Sequence, residues 1–212
     1  MTEQISIADQ AEHARWQARF AADEYVFGTE PNAFLASQAA LLRPGMTALS
    51  IADGEARNGV WLARQGLRVT SQDFSPNAQA KARALAERHG VSMEFVLADI
   101  DLWDWGKPRF DLVVGIFFQF CDPATRARIF RRMQEVLLPG GLVMIEGYTP
   151  KQLEHRTGGP SVLENLYTEE LLRSSFAGME VLHVAEYEAE LNEGARHKGM
   201  SAVIDFVARK PA

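Results

Sequence analysis

The sequence predicts an α/β protein, a three-layer sandwich whose seven-stranded, mostly parallel sheet ends in an antiparallel hairpin. Three observations lead to this prediction. Residues 47–73 contain a strand, a glycine-bearing turn, a helix and a second strand, which is one βαβ unit. Residues 110–117 are a continuous apolar run, as expected of a strand buried on both faces of a parallel sheet. Two alternating segments, residues 180–191 and 202–209, have no helix between them and should pair antiparallel.

The remaining elements follow from apolar spacing and from capping signals. Further strands are predicted over residues 93–98 and 142–146, with a loop over residues 192–199 between the last two strands. Helices are predicted over residues 8–22, 32–42 and 76–89. A further helix ends at Gly66, another begins at Asp122 and ends at the segment Leu138-Pro139-Gly140-Gly141, and the last begins at Thr168. Ser75 suits the N-cap of its helix and Pro76 suits the first helical position.

Length and composition favour one globular domain over residues 1–212, since 47% of the residues are hydrophobic and no low-complexity run is present. We divide it into an N-terminal helical arm (1–45), a cofactor-binding core (46–147), a substrate lid loop (148–167) and a C-terminal helix and hairpin (168–212).

Charge and cysteine content narrow the function classes. The formal net charge of −6 argues against nucleic acid as a partner. Cys121 is the one cysteine, which excludes an intrachain disulfide and suits a reducing cytosol. The first residues lack a signal-sequence pattern, and the longest apolar run is too short to span a bilayer. We therefore expect a cytoplasmic protein, monomer or homodimer, with a small-molecule substrate and no membrane partner.

The turn after the first strand, with the acid that follows the second strand, predicts a nucleoside site. Gly54 lies in that turn, and Asp73 follows about 20 residues later. A carboxylate at this place can accept both hydroxyls of a ribose. The glycine pattern that pyrophosphate requires is only partly present, so a ligand without phosphates fits better than NAD.

The segments ADGEARNGVWLA and V-x-x-x-D-F-S resemble motifs I and II of class I S-adenosylmethionine-dependent methyltransferases. The chain is similar to the tellurite-resistance-type small-molecule methyltransferases over nearly its whole length. It departs from that pattern at Ser50, where the family usually has an acid, and at Ala52 and Ala56, where it usually has glycines. The resemblance implies a Rossmann-like sheet, S-adenosyl-L-methionine as cofactor and S-adenosyl-L-homocysteine as product.

The resemblance also implies a set of cofactor-binding residues from the arm, the first turn and the carboxyl ends of the strands. Asp99, directly after the third strand, matches the acid that contacts the adenine amino group. The full set is Trp16, Arg19, Phe27, Ala52, Asp53, Gly54, Asn58, Asp73, Phe74, Ser75, Asp99, Ile100, Gly115, Ile116 and Phe117.

Catalytic candidates are His197, Arg196 and Tyr148, with Glu146 as a further possible base at the crevice edge. His197 lies in E-G-x-R-H-x-G, which is similar to the family's C-terminal substrate loop, and Arg196 could hold an anionic acceptor. A soft nucleophile needs no strong base, whereas a hydroxyl or amine would use one. No His or Cys spacing indicates a metal site. Two alternatives stay open, an S-adenosylmethionine-binding protein without transfer activity and an NAD-type oxidoreductase.

Overall fold

The computed structural model describes residues 7–194 and 197–212, with only the backbone for residues 7–11. The strands are β1 (Thr47–Ser50), β2 (Arg68–Asp73), β3 (Glu94–Leu97), β4 (Phe110–Ile116), β5 (Leu137–Tyr148), β6 (Glu180–Glu193) and β7 (His197–Arg209). The helices are α1 (Ile7–Phe20), α2 (Ala33–Ser37), α3 (Arg57–Arg64), α4 (Pro76–Arg88), α5 (Pro123–Glu135), α6 (Gln152–His155) and α7 (Glu169–Ser175), with 3-10 turns at Ala39–Leu41 and Leu163–Asn165.

The seven strands form one sheet in the order β3-β2-β1-β4-β5-β7-β6. The pairings among β1 to β5 are parallel, whereas β7 pairs antiparallel with both β5 and β6. The predicted fold class is therefore confirmed. The strand order reverses at β1, so the crevice at the carboxyl ends of β1 and β4 is where an open α/β sheet binds ligands.

Two apolar layers cover the sheet because successive residues of its central strand point to opposite faces. Val113 of β4 packs in one cluster with residues of α5 and α7, such as Phe130 and Leu172. Its neighbours Leu112 and Val114 pack on the other face with residues of α2 and α3. This alternation explains why residues 110–117 are apolar without interruption.

The capping predictions for α4 and α7 agree with the structure. The side chain of Ser75 accepts a hydrogen bond from the amide of Ala78, and Pro76 is the first residue of α4. The side chain of Thr168 accepts from the amide of Leu171 at the start of α7. The predicted helix over residues 32–42, in contrast, is interrupted. It ends at Ser37 and continues as a 3-10 turn.

The C-terminal hairpin is longer and its loop shorter than the sequence predicts. Residues 192 and 193 belong to β6, and Glu193 pairs with His197 in the ladder. His197 is thus the first residue of β7 and does not lie in a long loop. Gly194 adopts a φ of 80° after the last residue of β6, a conformation that glycine reaches without steric cost.

The segment Leu138-Pro139-Gly140-Gly141 lies inside β5, whereas the sequence predicts that the strand starts after it. Phe110 pairs with Leu137 and Leu112 pairs with Leu142, so a bulge in the ladder takes up the Pro-Gly-Gly residues. The predicted lid segment also contains local structure, namely α6 and a 3-10 turn. Within the described ranges, no helix has both the length and the apolar character that crossing a bilayer requires.

Candidate active site

A cavity of about 650 Å³ lies at the carboxyl edge of the sheet, between α1, the first turn and the start of β7. Its volume falls within the range of roughly 300–1,000 Å³ that is usual for small-ligand sites. Thirteen of the predicted site residues line it: Trp16, Phe27, Ala52, Asp53, Gly54, Asn58, Asp73, Phe74, Asp99, Ile100, Ile116, Phe117 and His197.

Five of the predicted site residues do not line this cavity or lie outside the described residues. Ser75 caps α4, and Gly115 gives room to the ring of Phe118, since a Cβ there would lie 2.5 Å from that ring. The guanidinium of Arg19 lies over the ring of Trp16, 4.3 Å from its centroid. Tyr148 is 2% exposed and packs behind the cavity wall. Arg196 is outside the described residues.

The first turn keeps its tight backbone although two of its positions carry alanine. Ala52 and Ala56 adopt φ values of 46° and 60°, and Gly54 between them has a φ of 57°. Left-handed backbone costs an L-residue other than glycine roughly 1–2 kcal/mol. The turn therefore holds the shape that glycines would permit, at the expense of some strain.

Asp73 joins this turn to the end of β2. Its Oδ2 accepts a hydrogen bond from the amide of Gly54 at 2.9 Å, and its Oδ1 accepts one from the amide of Ser75 at 2.9 Å. Burial raises the pKa of Asp73 to about 6, against the effect of these two donors. A carboxylate has about four acceptor positions, so each oxygen can still accept a ligand hydroxyl.

The carboxyl group of Asp53 turns inward below the turn. The hydroxyl of Ser71 donates to its Oδ2 at 2.8 Å, while its Oδ1 is buried and has no hydrogen-bond partner in the described part of the chain. A Cβ at Gly59 would lie 2.3 Å from Oδ2, so glycine is required where this carboxyl group packs. Burial raises the pKa of Asp53 to about 7, although the hydroxyls of Ser50 and Ser71 oppose the shift.

His13 on α1, which was not predicted as a site residue, covers the cavity above Phe74 and Asp99. Its ring stacks on Phe74 at a centroid distance of 4.1 Å, and its Nε2 lies 3.1 Å from Oδ2 of Asp99. The available signal was the spacing of His13, Trp16 and Phe20, which places all three on one face of α1. The indole of Trp16 and the ring of Phe20 are stacked at 5.6 Å.

His197 stands at the other end of the cavity, among aromatic rings. Its ring centroid lies 4.5 Å from that of Phe27 and 4.4 Å from that of Phe117. Burial lowers the pKa of His197, although Glu193 opposes this effect. The ring of Tyr148 packs behind, 4.7 Å from Phe117 and 6.0 Å from His197. In this arrangement Tyr148 supports the wall of the cavity and does not face its interior.

A buried ion pair next to His197 was also missed. The Nη2 of Arg57 lies 2.7 Å from Oε2 of Glu193, and both side chains are at most 10% exposed. The two residues are 136 positions apart, so no local pattern connects them. Glu146, the further candidate base, is 2% exposed, does not line the cavity and accepts a hydrogen bond from the amide group of Asn32.

Residues 48–141, which include the first turn, Asp73 and Asp99, match the family described as Methyltransferase domain. This stretch is similar to a methyltransferase domain. An uncharacterized protein of Mycobacterium tuberculosis is 25% identical over 148 residues, which make up 66% of this chain and 53% of that protein. A protein of Mycobacterium bovis matches with the same values. The chain spans about half the length of the curated relatives it matches.

Solved structures share the fold of this chain. TehB from Haemophilus influenzae has a TM-score of 0.71 at 19% identity, over 94% of this chain and 67% of that one. The N-methyltransferase NodS from Bradyrhizobium japonicum, in complex with S-adenosylhomocysteine, has a TM-score of 0.69 at 15% identity, over 94% and 98% of the two chains. A structure described for the conversion of a disulfide bond into a thioacetal group during echinomycin biosynthesis has a TM-score of 0.75 at 18% identity, over 94% and 93%.

At these identities the likeness concerns the fold. It confirms the predicted Rossmann-like sheet, and the family match over residues 48–141 agrees with the predicted methyltransferase class.

Proposed function

We propose that this chain transfers a methyl group from S-adenosylmethionine to a small-molecule acceptor, a thiol, an oxyanion or a hydroxyl, by in-line displacement. The observation that carries the proposal is that one cavity of about 650 Å³ is lined both by the first turn with Asp73 and by His197. A cofactor and a small acceptor can therefore meet inside it. A cavity of this size favours a small acceptor over a macromolecule.

The residues at the turn fit a nucleoside with a ribose and an adenine. Asp73 is the residue that we expect to accept the ribose hydroxyls, because both its oxygens keep free acceptor positions. Asp99 is expected to accept from the adenine amino group, and Phe74 and Ile100 to flank the base. The left-handed backbone of Ala52 and Ala56 supports binding, since the turn keeps its shape despite the missing glycines.

The acceptor would lie between Phe27, Phe117 and His197. When bound, S-adenosylmethionine supplies an already activated methyl group, so the protein mainly contributes orientation and proximity. The rings of Phe27 and Phe117 contact the imidazole of His197 and make this part of the cavity wall apolar. His197 is then placed to take a proton from an acceptor that carries one.

Two alternative functions make different predictions. A binding protein without transfer activity would take up the cofactor but turn over no acceptor. An NAD-type oxidoreductase is disfavoured by the incomplete glycine pattern and by the antiparallel end of the sheet. We also propose a cytoplasmic location, on the basis of the single cysteine, and no nucleic-acid partner, on the basis of the acidic net charge.

Calorimetric titration with S-adenosylmethionine, S-adenosylhomocysteine and NAD tests the proposal. We expect micromolar binding of the first two ligands and none of NAD. Asp73→Ala should weaken cofactor binding by about 1–3 kcal/mol, because a buried acceptor of the ribose hydroxyls is removed. Asp104→Ala, at an exposed aspartate outside the cavity, is the control and should bind normally.

Release of S-adenosylhomocysteine from assays with 2-mercaptoethanol, tellurite and catechol then tests transfer. A folded protein that binds neither sulfur nucleoside contradicts the proposal. Binding without turnover of any acceptor class would support the binding-protein alternative.

A further inference from the structure

The carboxylate of Glu193, next to His197, is held in place from several directions. The Nη2 of Arg57 donates to its Oε2 at 2.7 Å, and the backbone amide of Ala33 donates to Oε1 at 2.9 Å. The side-chain amide of Asn32 donates to Oε1 at 3.0 Å. These three donors come from α3 and from the start of α2, so two separate elements fix one carboxylate.

Glu193 stays ionised in this setting. Burial alone would raise its pKa, but His197 and the guanidinium of Arg57 lower it to about 2. A buried ion pair is costly to desolvate and is weak evidence for stability. Its position beside His197, which lines the cavity, therefore indicates a role in function and not in stability.

The imidazole of His197 presents its Nδ1 to this carboxylate. Nδ1 lies 3.9 Å from Oε2 of Glu193, and it is buried without a hydrogen-bond partner among the described residues. The ring is held by Phe27 and Phe117 and lines the cavity. A separation of 3.9 Å is too long for a hydrogen bond, but catalytic hydrogen bonds are often long without substrate and shorten during the reaction.

We infer that Glu193 is the positioning residue of His197, which it orients as a general base for acceptors that carry a proton at neutral pH, namely hydroxyls and amines. The inference rests on the proposed function and selects among its acceptor classes. Glu193 favours the tautomer with a proton on Nδ1 and leaves Nε2 free to accept one.

In the transfer step, the acceptor oxygen or nitrogen bonds to the methyl carbon while the carbon–sulfur bond breaks and its electron pair stays on sulfur. The proton that leaves the acceptor goes to Nε2 of His197. The imidazolium that forms on His197 is attracted to the carboxylate of Glu193. This attraction grows as the positive charge develops, so it stabilises the transition state more than the ground state, in which His197 is neutral. A thiolate needs no proton removed and does not use this pair.

Among the described residues, four charged or titratable groups face His197 from the elements packed around it. Glu193 of β6 favours the imidazolium, whereas Arg57 of α3 and Arg19 of α1 disfavour it. Tyr148 of β5 packs against the ring, and burial raises the pKa of its own hydroxyl. Glu193 is the group among these four whose removal should lower the proton affinity of His197.

The test is an NMR titration of the His197 imidazole in the wild-type protein and in Glu193→Gln, with His197→Gln to assign its signal. Glutamine keeps the size of the side chain and one acceptor but removes the charge. We expect the midpoint of His197 to fall by about one pH unit and the Nδ1–H tautomer to lose population. An unchanged midpoint and tautomer ratio would overturn the inference.

Glu188→Gln is the matched control. Glu188 is also on β6 and also contacts a histidine, with 2.8 Å between its Oε2 and Nε2 of His155, but this pair is outside the cavity. The variant Glu188→Gln should leave the His197 signal unchanged. If Glu193→Gln does not fold, Glu193→Asp keeps the charge at a longer distance and should give a smaller shift of the same sign.

Kinetics provide a second readout. Glu193→Gln should reduce kcat for catechol about 10–100-fold, with the Kd for S-adenosylhomocysteine unchanged within a factor of about two. It should leave turnover of tellurite unaffected, because the tellurium atom that accepts the methyl group carries no proton. Equal losses with both acceptors would indicate a structural role and contradict the inference. The titration needs neither cofactor nor acceptor, so it decides the role of Glu193 even if the proposed transfer activity fails its own test.

Discussion

At the scale of single residues, Asp53 shows how a buried carboxyl group shapes the candidate site. Its Oδ2 accepts from Ser71 and occupies the space left open at Gly59. The family that the sequence resembles usually has an acid at position 50, where this chain has Ser50. The hydroxyl of Ser50 interacts with the carboxyl group of Asp53 by hydrogen bonding, which opposes the rise in the pKa of Asp53. An acidic group thus lies next to Ser50, but Asp53 supplies it and not the residue at position 50.

The raised pKa of Asp53 predicts a pH-dependent stability. The folded-state value of about 7 lies above the ordinary value of 3.8, so the folded protein binds more protons than the unfolded chain between about pH 4 and 7. The free energy of unfolding should therefore decrease as pH rises through this window. Asp73, with a pKa of about 6, acts in the same direction.

Asp53→Asn should remove most of this dependence and stabilise the protein at pH 8 by roughly 2–4 kcal/mol. Urea unfolding at pH 5 and pH 8 measures the effect, with the exposed Asp23→Asn as control. If the variant and the wild type lose the same stability between the two pH values, the carboxyl group of Asp53 is not the cause.

At the scale of elements, the β6–β7 hairpin closes the cavity by direct backbone contact. A Cβ at Gly194 would lie 2.4 Å from the carbonyl carbon of Phe27 and 2.5 Å from the amide nitrogen of Gly28. The end of the hairpin therefore packs on the loop that carries Phe27, and through it on the aromatic wall around His197. Because backbone atoms cannot move aside as a flexible side chain can, this contact should be sensitive to one added methyl group.

Gly194→Ala tests this contact, and Gly90→Ala is its control. Both glycines have a positive φ, 80° and 65°, but no atom lies within 4 Å of the Cβ position at Gly90. Gly90→Ala should cost about 1 kcal/mol from backbone strain alone, while Gly194→Ala should cost about 3 kcal/mol or more because overpacking is added. Thermal unfolding measures both. Equal losses would mean that the hairpin end is not tightly packed.

The arm helix α1 is the second element that closes the cavity. It is joined to α4 through Gln17, whose backbone carbonyl accepts from Asn77 at 3.0 Å, and it brings His13 over Phe74 and Asp99. Asp99 is also the residue that we expect to contact the adenine. His13 and the adenine would then contact the same carboxylate. Cofactor binding should therefore change the contacts of α1.

Hydrogen exchange can detect this change. With S-adenosylhomocysteine bound, we expect the backbone amides of Ile7–Phe20 to exchange several-fold more slowly, because the ligand fills the cavity beneath the helix. The amides of Glu169–Ser175, a helix that does not line the cavity, should be unaffected. Unchanged exchange in α1 would show that the arm does not respond to the cofactor.

At the scale of the whole molecule, one apolar cluster contains residues of the predicted core, of the predicted lid segment and of the C-terminal hairpin. Leu49 of β1, Ile145 of β5, Tyr167 of the lid segment and Phe206 of β7 all belong to it. The hairpin pairs directly with β5. The core, the lid segment and the C-terminal hairpin should therefore unfold together.

Calorimetry of the full chain should show one transition whose midpoint rises with S-adenosylhomocysteine. At about 100 times Kd, linkage predicts about 2.7 kcal/mol of added stability. Two separate transitions would contradict the single-domain prediction for residues 1–212. A midpoint that does not respond to the ligand would contradict cofactor binding.

The sequence by itself determined the elements that depend on neighbouring residues. Ser75 and Thr168 cap their helices as predicted, because a cap needs only a side-chain oxygen and the amides that follow it. The uninterrupted apolar run of β4 predicted a strand buried on both faces, and the missing crossover helix predicted the hairpin. Asp73 was found by its spacing from the turn within one βαβ unit, and it lines the cavity.

Only the tertiary structure decided which distant groups meet. Arg57 and Glu193 form their ion pair across 136 positions, and His13 reaches Asp99 from another helix. His197 was expected in a loop but is the first residue of β7, because backbone pairing with Glu193 extends the ladder. Such contacts depend on how the elements pack around the sheet. Burial then sets the proton affinities of Asp53 and His197, and neither packing nor burial can be read from adjacent residues.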